Sequence, residues 1–583
     1  MPYTRGNWPT LPAMMLARAR EWAGRPMLRY WRGGTWHRLN WGEFAQRVAA
    51  VASFLRAHGV MPGDRVLIVS ENRPEFLIAD TAIMAIGAVS VPTYTTNTVA
   101  DHAHILRDSG ASAAVVSTRR LAERVLAAAR ERGGAGLGLL LCCEEPPPAP
   151  EGMAAHRWEE ALGAPGGLAL LEAEANAAPG TRLACLIYTS GTGGAPKGVM
   201  LPHRAMLANR EGVRALAERL NLFGKSYLSF LPLSHSYEHT VGGFLLPSLG
   251  MEVVYSRGAD RVAAELQQIR PAIITAVPRL FEVLRARMLA QLEKETPFRR
   301  RMFERAVELG LRKMDGPPLG LFERVQDAVL ERLVRDRVRA RFGGRLVALV
   351  SGGARLDPDL SGFFLALGVP VIQGYGQTEA GPVVSVNPPW ANRRDTVGPP
   401  LAGVEVRIAE DGELLVRGDL VMDGYWNNAE ATAAALRPAA GDPPDAPVWL
   451  HTGDVGTIDA DGYIRITDRK RDFIKTLGGD MVSPAKIESL LMAEPEIAQA
   501  VVAGEGKPGL VALLVPAEGM DGKVAEAVER VNARLSTIER IRRWTIAEPF
   551  TVENGLLTPT MKVRRRAVIE RHASVLESLH RRD

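Results

Sequence analysis

The sequence predicts an α/β protein built from several layers with parallel strands. Apolar strand patterns at residues 64–70 and 111–117 alternate with helical patterns such as the one at 41–58. This alternation is typical of parallel α/β layers. Two later apolar runs, at 346–350 and 369–372, each end in a polar segment that contains glycine. Ligands gather beyond the carboxyl ends of such strands, so these two segments are candidates for one pocket.

Length and composition indicate a large soluble globular protein. The chain has 583 residues, which suggests three or four folding units. Hydrophobic residues make up 46% and the mean hydropathy is -0.04. No run reaches the roughly 18 consecutive apolar residues of a transmembrane helix, and residues 1–5 do not begin a signal peptide. The cysteines at 142, 143 and 185 lack disulfide or metal-site spacing, so a reducing, cytoplasmic location is expected.

The charge pattern argues against a nucleic-acid partner. The net charge of +5 arises from 71 basic and 66 acidic residues that are interspersed, which indicates solvated surface. Only 10 of the basic residues are lysines. Because an ammonium and a guanidinium are not interchangeable, lysine in an arginine-rich chain suggests a chemical role. Lys197, Lys475 and Lys562 all lie in candidate motifs.

Residues 188–199 concentrate glycines, hydroxyl side chains and one lysine directly after an apolar strand pattern at 183–188. Glycine lets backbone N–H groups converge on an anion, and lysine adds a point charge for a polyphosphate. The P-loop of NTPases requires glycine directly before the lysine and Ser or Thr directly after it, but Pro196 and Gly198 flank Lys197 here. A phosphate loop of another kind is predicted, with a plain glycine-rich turn as the simpler alternative.

This segment resembles the signature loop of the AMP-forming adenylating enzymes, the family of acyl-CoA synthetases, luciferases and peptide-synthetase adenylation domains. The family pattern T/S-S-G-T-T-G-x-P-K-G agrees at every position except Gly193, where the family usually has a second threonine. The resemblance implies that the loop binds ATP. The residues involved would be Thr189, Ser190, Gly191, Thr192, Gly193 and Lys197.

The segments at 351–354 and 373–380 extend the resemblance. Tyr375 offers a flat face for adenine, Thr378 a hydroxyl, and Glu379 a hard oxygen ligand suited to Mg²⁺. By resemblance, Thr189 and Glu379 would hold Mg²⁺ between the phosphates. Three further candidates for the nucleotide pocket are Gly353, Gln373 and Gly374.

The segment at 225–235 is predicted to be a strand that ends by presenting His235. A lone histidine is more often structural, but this one resembles a family position, held by an aromatic residue or histidine, beside the substrate carboxylate. Gly242 and Gly243 follow, and their small size predicts room for an acyl chain.

Residues 280–342 form a charged helical region that is interrupted near 316–320. The simplest interpretation is a pair of solvated amphipathic helices. The region also resembles the helical insertion of the long-chain fatty acyl-CoA synthetase branch, which implies a long acyl substrate. Peripheral contact of its arginine-flanked helices with an anionic membrane is left open as an alternative.

The C-terminal motifs imply a mobile lid. By resemblance, Asp454 and Arg469 would bind the ribose, and Arg471 would be the pivot of a hinge that also contains Lys475. Gly478 would lie on the pantetheine path of CoA, and Lys562 would be the final catalytic lysine. The implied organisation is a large N-terminal domain at 1–468, with a β subdomain at about 396–467, and a small α+β C-terminal lid at 469–583.

Together the motifs imply ATP-dependent activation of a long-chain fatty acid through an acyl-adenylate, followed by thioester formation with CoA. The implied catalytic residues are Lys562, His235, Glu379 and Thr189. Transfer of the acyl group to a carrier protein is the nearest alternative. A luciferase-like oxygenase and a non-catalytic acyl or nucleotide binder are two others, the last suggested by Gly193. Acyl chain length and oligomeric state cannot be predicted from the sequence.

Overall fold

The structure is a computed structural model of the chain. It describes residue 3 and residues 6–131, 136–189, 195–258, 260–443, 445–470, 473–478, 481–558 and 562–581. In this part of the chain the strands form two large mixed sheets, a smaller antiparallel sheet and two C-terminal sheets. The predicted α/β class is confirmed.

The first large sheet contains the strand that leads into the phosphate-loop candidate. Six of its eight described strands are parallel, and an antiparallel hairpin with one added strand closes its edge. The predicted strands at 64–70 and 111–117 both belong to it. In spatial order, the strands are Gly424–Tyr425, Lys197–Pro202, Leu183–Thr189, Val89–Thr93, Arg65–Val69, Ala113–Val116, Leu139–Cys142 and Ala154–Arg157.

The second large sheet carries the other predicted loops. Its inner strands are parallel, and one antiparallel strand lies at each edge of the part described. Parallel neighbours end on the same side, so the segments after residues 229, 276, 351 and 376 meet there. In spatial order, the strands are Val383–Val386, Val371–Gly376, Ala348–Ser351, Ile273–Ala276, Ser226–Ser229, Glu252–Tyr255, Pro26–Arg32 and Thr35–Asn40.

A five-stranded antiparallel sheet, counted over the described residues, occupies the region expected to be a β subdomain. Its longest strand places the ribose candidate Asp454 directly opposite Arg469. The strands are Glu405–Ile408, Glu413–Arg417, Leu436–Arg437, Trp449–Ile458 and Ile464–Arg469.

Helices cover both large sheets, and Pro74–Ala85 is buried along its whole length, as expected for a helix that is apolar all round. Short π-helical segments span His239–Leu245 and Glu331–Arg335, and 3₁₀ turns span Thr378–Ala380, Pro389–Ala391 and Asp521–Lys523. No described helix is both long and apolar enough to cross a membrane. The α-helices are Leu11–Glu21, Trp41–Ala57, Pro74–Ala85, Val99–Ser109, Arg119–Glu131, Trp158–Leu162, Leu168–Ala177, His203–Arg219, Ser236–Glu238, Leu246–Ser248, Val262–Ile269, Pro278–Glu293, Pro297–Asp315, Leu321–Leu330, Asp336–Arg341, Pro358–Ala366, Ala429–Ala435, Pro484–Ala493, Val524–Ala533, Arg565–Arg571 and Ala573–Arg581.

The helical region at 280–342 is more elaborate than a pair of helices. Pro297–Asp315 begins with Thr296 as its N-cap and Pro297 in its first turn. The chain then turns at 316–320, as predicted, and a second helical run continues to Arg341. The buried Arg335 fastens the two runs by donating to Ala306 O at 2.8 Å and to Asp327 Oδ1 at 2.7 Å.

The C-terminal part has apolar cores of its own. The strands Ile497–Ala503, Leu510–Pro516 and Ile541–Ile546 form a sheet with helices packed on it, and a small hairpin joins Ile474–Lys475 to Met481–Val482. Few polar links to the large part are present among the described residues; one is Arg279, which donates to Ala498 O at 3.3 Å. A unit with its own core can move as a body, and the boundary at 468/469 stays a prediction.

Candidate functional site

A cleft of about 2180 Å³ lies beyond the carboxyl ends of the second large sheet. Its floor includes the segments at 235–237, 352–358 and 372–379, and the C-terminal part supplies the opposite wall. This is the position that open parallel sheets favour for ligands. The two glycine-bearing segments expected to share a pocket therefore do so.

Lys562 lines this cleft from the C-terminal part. A Cβ on Gly353, which has φ of +77°, would lie 3.6 Å from its Nζ, so the ammonium lies directly beside this glycine. The backbone is held by Thr558, whose Oγ1 accepts from Lys562 N at 3.0 Å. Burial and, to a smaller extent, the charge of Arg469 lower the pKa of Lys562, the charge of Asp454 opposes them, and the net value is about 8. At neutral pH, Lys562 is therefore still protonated in most molecules.

Asp454 lies at the base of the cleft with two polar partners. The Tyr375 hydroxyl donates to its Oδ2 at 2.5 Å, and Arg469 Nε lies 3.3 Å from its Oδ1. Burial raises the pKa of Asp454, while the Arg469 charge and the Tyr375 hydrogen bond lower it. Burial also raises the pKa of Tyr375 well above its usual value, so Tyr375 is a neutral donor. The arrangement offers hydroxyl-accepting oxygens beside an aromatic ring.

His235 caps the short helix that follows it, with its Nδ1 accepting from Tyr237 N at 3.2 Å. Burial lowers the pKa of His235 to about 3, and the Lys562 charge acts in the same direction. The ring is therefore neutral, and with Nδ1 as acceptor its proton lies on Nε2. The next residue, Ser236, shares a hydroxyl contact of 2.8 Å with Thr378. His235 can thus donate one hydrogen bond within the cleft.

Thr189 and Lys197 are opposite each other in the antiparallel pair of strands that flank the phosphate-loop candidate. Both line the cleft. His104 supports the returning arm, because its Nε2 lies 2.8 Å from Pro196 O. The intervening candidates, Ser190, Gly191, Thr192 and Gly193, lie outside the described residues.

Tyr425 connects two predicted phosphate-side residues, although sequence reasoning missed it. Its hydroxyl donates to Glu379 Oε1 at 2.9 Å, and Lys197 Nζ lies 5.1 Å from the centre of its ring. It reaches this position because Gly424–Tyr425 pairs with the Lys197–Pro202 strand. No local sequence signal predicts a pairing between segments more than 200 positions apart.

The two predicted Mg²⁺ ligands carry the kind of oxygen atoms that a hard divalent cation prefers. Glu379 and Thr189 both line the cleft and offer carboxylate and hydroxyl oxygens. Across the described residues no group of three or more His, Cys, Asp or Glu side chains is placed to hold a metal. A Mg²⁺ ion held by few protein ligands and completed by substrate phosphates fits this donor set, whereas a closed protein cage does not.

The structure brings most of the remaining candidates together. Gly353, Gln373, Gly374 and Thr378 line the cleft, although the Gln373 side chain donates to Arg394 O at 2.7 Å and is therefore already engaged. Lys475 and Gly478 lie outside the described lining, and Lys475 N donates to Glu505 Oε2 at 2.9 Å. Arg471 lies outside the described residues.

An apolar arm of the cleft continues past His235 between two helical segments. Its apolar lining suits the hydrocarbon part of a fatty acid. The apolar side chains that line it are Val213, Leu216, Ala217, Leu220, Leu222, Val241, Leu245, Leu246 and Leu249.

One of the two glycines expected to make room for the acyl chain has another role. A Cβ on Gly242 would lie 2.2 Å from Glu238 Oε1, and one on Gly243 would lie 3.6 Å from Leu77. Gly242 therefore leaves space for the buried Glu238 carboxylate, which also accepts from Tyr227 at 2.6 Å. Burial raises the pKa of Glu238 to about 7. The prediction for Gly242 was wrong, because the space beside it is occupied by Glu238, whereas the one for Gly243 stays a prediction.

Comparisons with known proteins identify relatives that match along most or all of the chain. The long-chain-fatty-acid–CoA ligase FadD15 of Mycobacterium tuberculosis (strain ATCC 25618 / H37Rv) is 34% identical over 611 aligned positions, covering 100% of this chain and 99% of the relative. A long-chain-fatty-acid–[acyl-carrier-protein] ligase of Arabidopsis thaliana, AEE15, is 26% identical and covers 93% of this chain and 83% of the relative.

Solved structures share the fold. The adenylation domain of a carboxylate reductase from Mycobacterium chelonae matches with a TM-score of 0.75 at 22% identity, covering 99% of this chain and 92% of that one. The o-succinylbenzoate CoA synthetase of Bacillus subtilis, in complex with its acyl-adenylate intermediate, matches with a TM-score of 0.70 at 22% identity, covering 96% and 98%.

Family models account for nearly the whole chain. A model described as AMP-binding enzyme matches residues 16–426, and one described as AMP-binding enzyme C-terminal domain matches residues 471–583. The two matches are in the order that the motifs predict, and residues 427–470 lie between them. The chain belongs to the AMP-binding enzyme family.

Proposed function

We propose that the protein joins a long-chain fatty acid to CoA. The acid would first react with ATP to give an acyl-adenylate and pyrophosphate, and CoA would then displace AMP to give the thioester. The observation that carries the proposal is the meeting of Lys562, from the C-terminal part, with His235 and Gly353 at the mouth of an apolar arm. The FadD15 relative, named as a long-chain-fatty-acid–CoA ligase, supports both the acid and the acceptor.

In the first step a carboxylate oxygen attacks the α-phosphate, and both reactants are anions. The Lys562 ammonium would neutralise charge that develops between them, the kind of stabilisation that usually contributes most to such transfers. His235, neutral and with its proton on Nε2, would donate to the carboxylate without adding charge. These two side chains would orient the acid toward the phosphorus.

The remaining candidates would bind ATP. Tyr375 would lie against adenine, and Asp454, held by Arg469, would accept from the ribose hydroxyls. Lys197 and the Thr189 hydroxyl would contact the phosphates that leave. When bound through Thr189 and Glu379, Mg²⁺ would offset part of the phosphate charge.

The second step requires the thiol of CoA to reach the same carbonyl that Lys562 faces in this arrangement. The C-terminal part has its own core, so rotation about Arg471 would withdraw Lys562 as a unit. That rotation would bring the Gly478 segment, which lies outside the lining here, toward the acyl-adenylate. Lys475 would move with it.

The proposal is tested by measuring AMP release with fatty acids of increasing length, with CoA or with a carrier protein as acceptor. We expect AMP release and thioester formation when CoA is the acceptor. The rates of both should be higher for long fatty acids than for short ones. Thioester on the carrier protein alone would instead identify the ligase activity named for AEE15. Absence of acid-dependent pyrophosphate exchange would overturn the enzymatic proposal in favour of a binder.

The pH dependence of adenylation should report Lys562. Its folded-state pKa of about 8 means that the ammonium is present below pH 8 and is lost as the pH rises through that value. We expect kcat/KM for adenylation to fall as the pH rises above about 8, by roughly tenfold per pH unit. This descending part of the pH profile is called the alkaline limb. The facing groups are His235, already neutral, with Asp454 and Arg469.

Pyrophosphate release measured from about pH 6 to about pH 10, on both sides of the alkaline limb, tests this expectation. Arginine stays charged throughout, so the limb should disappear in Lys562→Arg even if the rate is lower. A limb at the same pH in that variant would assign the titration to another group.

Substitution in the apolar arm should change the preferred chain length. Ala217 is buried and lines the arm, so Ala217→Phe would fill it. We expect kcat/KM for long acids to fall roughly 10- to 100-fold, since extra atoms in a filled site cost on the order of 1–3 kcal/mol. Short acids, assayed on the same preparation, should be spared. An equal loss for short and long acids would mean that Ala217 acts through folding.

We also infer a cytoplasmic protein with peripheral contact to membranes. The three cysteines are free, which suits a reducing compartment. A long-chain fatty acid partitions into lipid, so an enzyme that consumes it benefits from approaching the bilayer surface.

A further inference from the structure

The helical run at 321–341 is apolar on two opposite faces. Its inner face packs into the protein through Leu330, Val334 and Val338. Its outer face is exposed, and its large side chains recur at intervals of four residues, which places them in line along one side of the helix. We call these residues the outer stripe: Leu321, 82% exposed, Phe322, 78%, Val325, 66%, Val329, 49%, and Leu333, 42%.

The outer stripe differs from the scattered apolar exposure found elsewhere. Met61, Trp390 and Ile538 are also exposed, but they lie singly and in different parts of the molecule. Single exposed apolar residues are normal. A helix that is apolar on both faces is normally buried, so a continuous exposed row points to a surface that is covered during function.

The acidic residues of this helical run are all neutralised from within the protein. Glu323 is paired with Arg312, and Asp327 accepts from Lys313 at 2.8 Å and from Arg335. The two other acidic side chains are occupied as well. Glu331 and Asp336 both accept from Arg339, at 2.6 Å and 2.5 Å.

Two arginines beside the outer stripe have no such partner. Arg332 and Arg337 are exposed, and neither has an ion pair or hydrogen bond with any described residue. Arg332 follows Val329 by three positions and Arg337 follows Leu333 by four, so both project near the stripe. The apolar row is thus accompanied by uncompensated positive charge.

The outer stripe lies on the far side of a wall of the cleft. Glu282, Val283 and Leu289 of the Pro278–Glu293 helix line the cleft. That helix packs on Pro297–Asp315, which in turn packs on the run that carries the stripe. The helical region therefore has the cleft on its inner side and the outer stripe on its outer side.

We propose that the outer stripe docks the protein onto an anionic lipid bilayer. The apolar side chains enter the boundary between headgroups and acyl chains, and Arg332 and Arg337 bind lipid phosphates. A second copy of the chain fits less well, because a twofold contact through this face brings the unpaired arginines of both copies together. The proposed function explains only why docking would be useful, because a long-chain fatty acid is found in the bilayer. Docking itself needs no catalysis and can be tested separately.

Co-sedimentation of the full-length protein with vesicles, without ATP, tests the proposal. We expect binding to phosphatidylcholine vesicles that contain phosphatidylglycerol, and roughly tenfold weaker binding to phosphatidylcholine alone or at high salt. Leu321→Ser/Phe322→Ser/Val325→Ser should weaken binding by roughly tenfold or more, because burial of one such side chain already contributes a factor of that size. Arg332→Glu/Arg337→Glu should weaken binding and flatten its salt dependence.

Arg120→Glu/Arg130→Glu is the matched control, since it makes the same charge change at exposed positions of the Arg119–Glu131 helix. The affinity of this control variant for vesicles should stay within about twofold of the wild-type value. Thermal unfolding and adenylation of a short acid check that each variant is folded. Equal loss in the control, or full binding by the stripe variant, overturns the proposal. If the stripe variant instead dissociates an oligomer in size-exclusion chromatography and still binds vesicles, the face is an interface between copies, and the proposal is wrong.

Discussion

Lys562→Ala is expected to lower acyl-adenylate formation by roughly 100- to 1,000-fold, the usual effect of removing one preorganised charge-stabilising group. Its ammonium lies beside Gly353 and His235 in the cleft, and burial lowers its pKa only to about 8, so it is charged when two anions must meet. Thioester formation from supplied acyl-adenylate should be nearly unchanged, because that step starts after the carboxylate has already been joined to the α-phosphate. Pyrophosphate release and thioester formation are measured separately.

Lys523→Ala is the matched control for this variant, because Lys523 is an exposed lysine of the same C-terminal part. Both steps should keep wild-type rates in the control. If Lys562→Ala slows the two steps equally, the assignment of Lys562 to the first step fails. Unfolding temperature compared between the two variants separates a structural loss from a chemical one.

Glu379→Gln is expected to raise the Mg²⁺ concentration needed for half-maximal adenylation and to lower the rate by roughly 100-fold. The substitution keeps the shape of the side chain and the hydrogen bond from Tyr425, but it removes the charge that a hard cation requires. Titration calorimetry of ATP binding with and without Mg²⁺ gives a second readout. We expect the gain in affinity that Mg²⁺ confers to shrink in the variant.

Two controls accompany Glu379→Gln. Glu410→Gln changes an exposed carboxylate outside the cleft lining and should have no effect. Tyr425→Phe removes only the hydroxyl that donates to Glu379, so it should cause a smaller loss in the same direction. Unchanged Mg²⁺ dependence in Glu379→Gln would exclude this carboxylate as a ligand.

Local patterns predicted the chemistry-bearing segments well. Alternating apolar and polar runs located the strands at 64–70 and 111–117, and polar segments after 346–350 and 369–372 do meet in one cleft. These predictions succeeded because the hydrophobic period of a segment and the polar residues that follow it are local properties of a chain. The roles of the individual site residues stay predictions, and the structure supplies their neighbours rather than their reactions.

Other features could not be predicted because they depend on distant contacts. Tyr425 reaches Glu379 and Lys197 only through an antiparallel edge strand. Gly242 was misinterpreted for the same reason: the sequence shows that the residue is small, but not which side chain occupies the space beside it. Here that side chain is Glu238.

The sequence by itself determined the α/β class, the order of the motifs and the helical region at 280–342, since each depends on residue type and spacing within a short segment. Only the tertiary structure decided that Lys562 meets Gly353 and that the outer stripe stays uncovered. Helical periodicity shows that a face is apolar, but whether another element covers that face depends on how the whole chain packs.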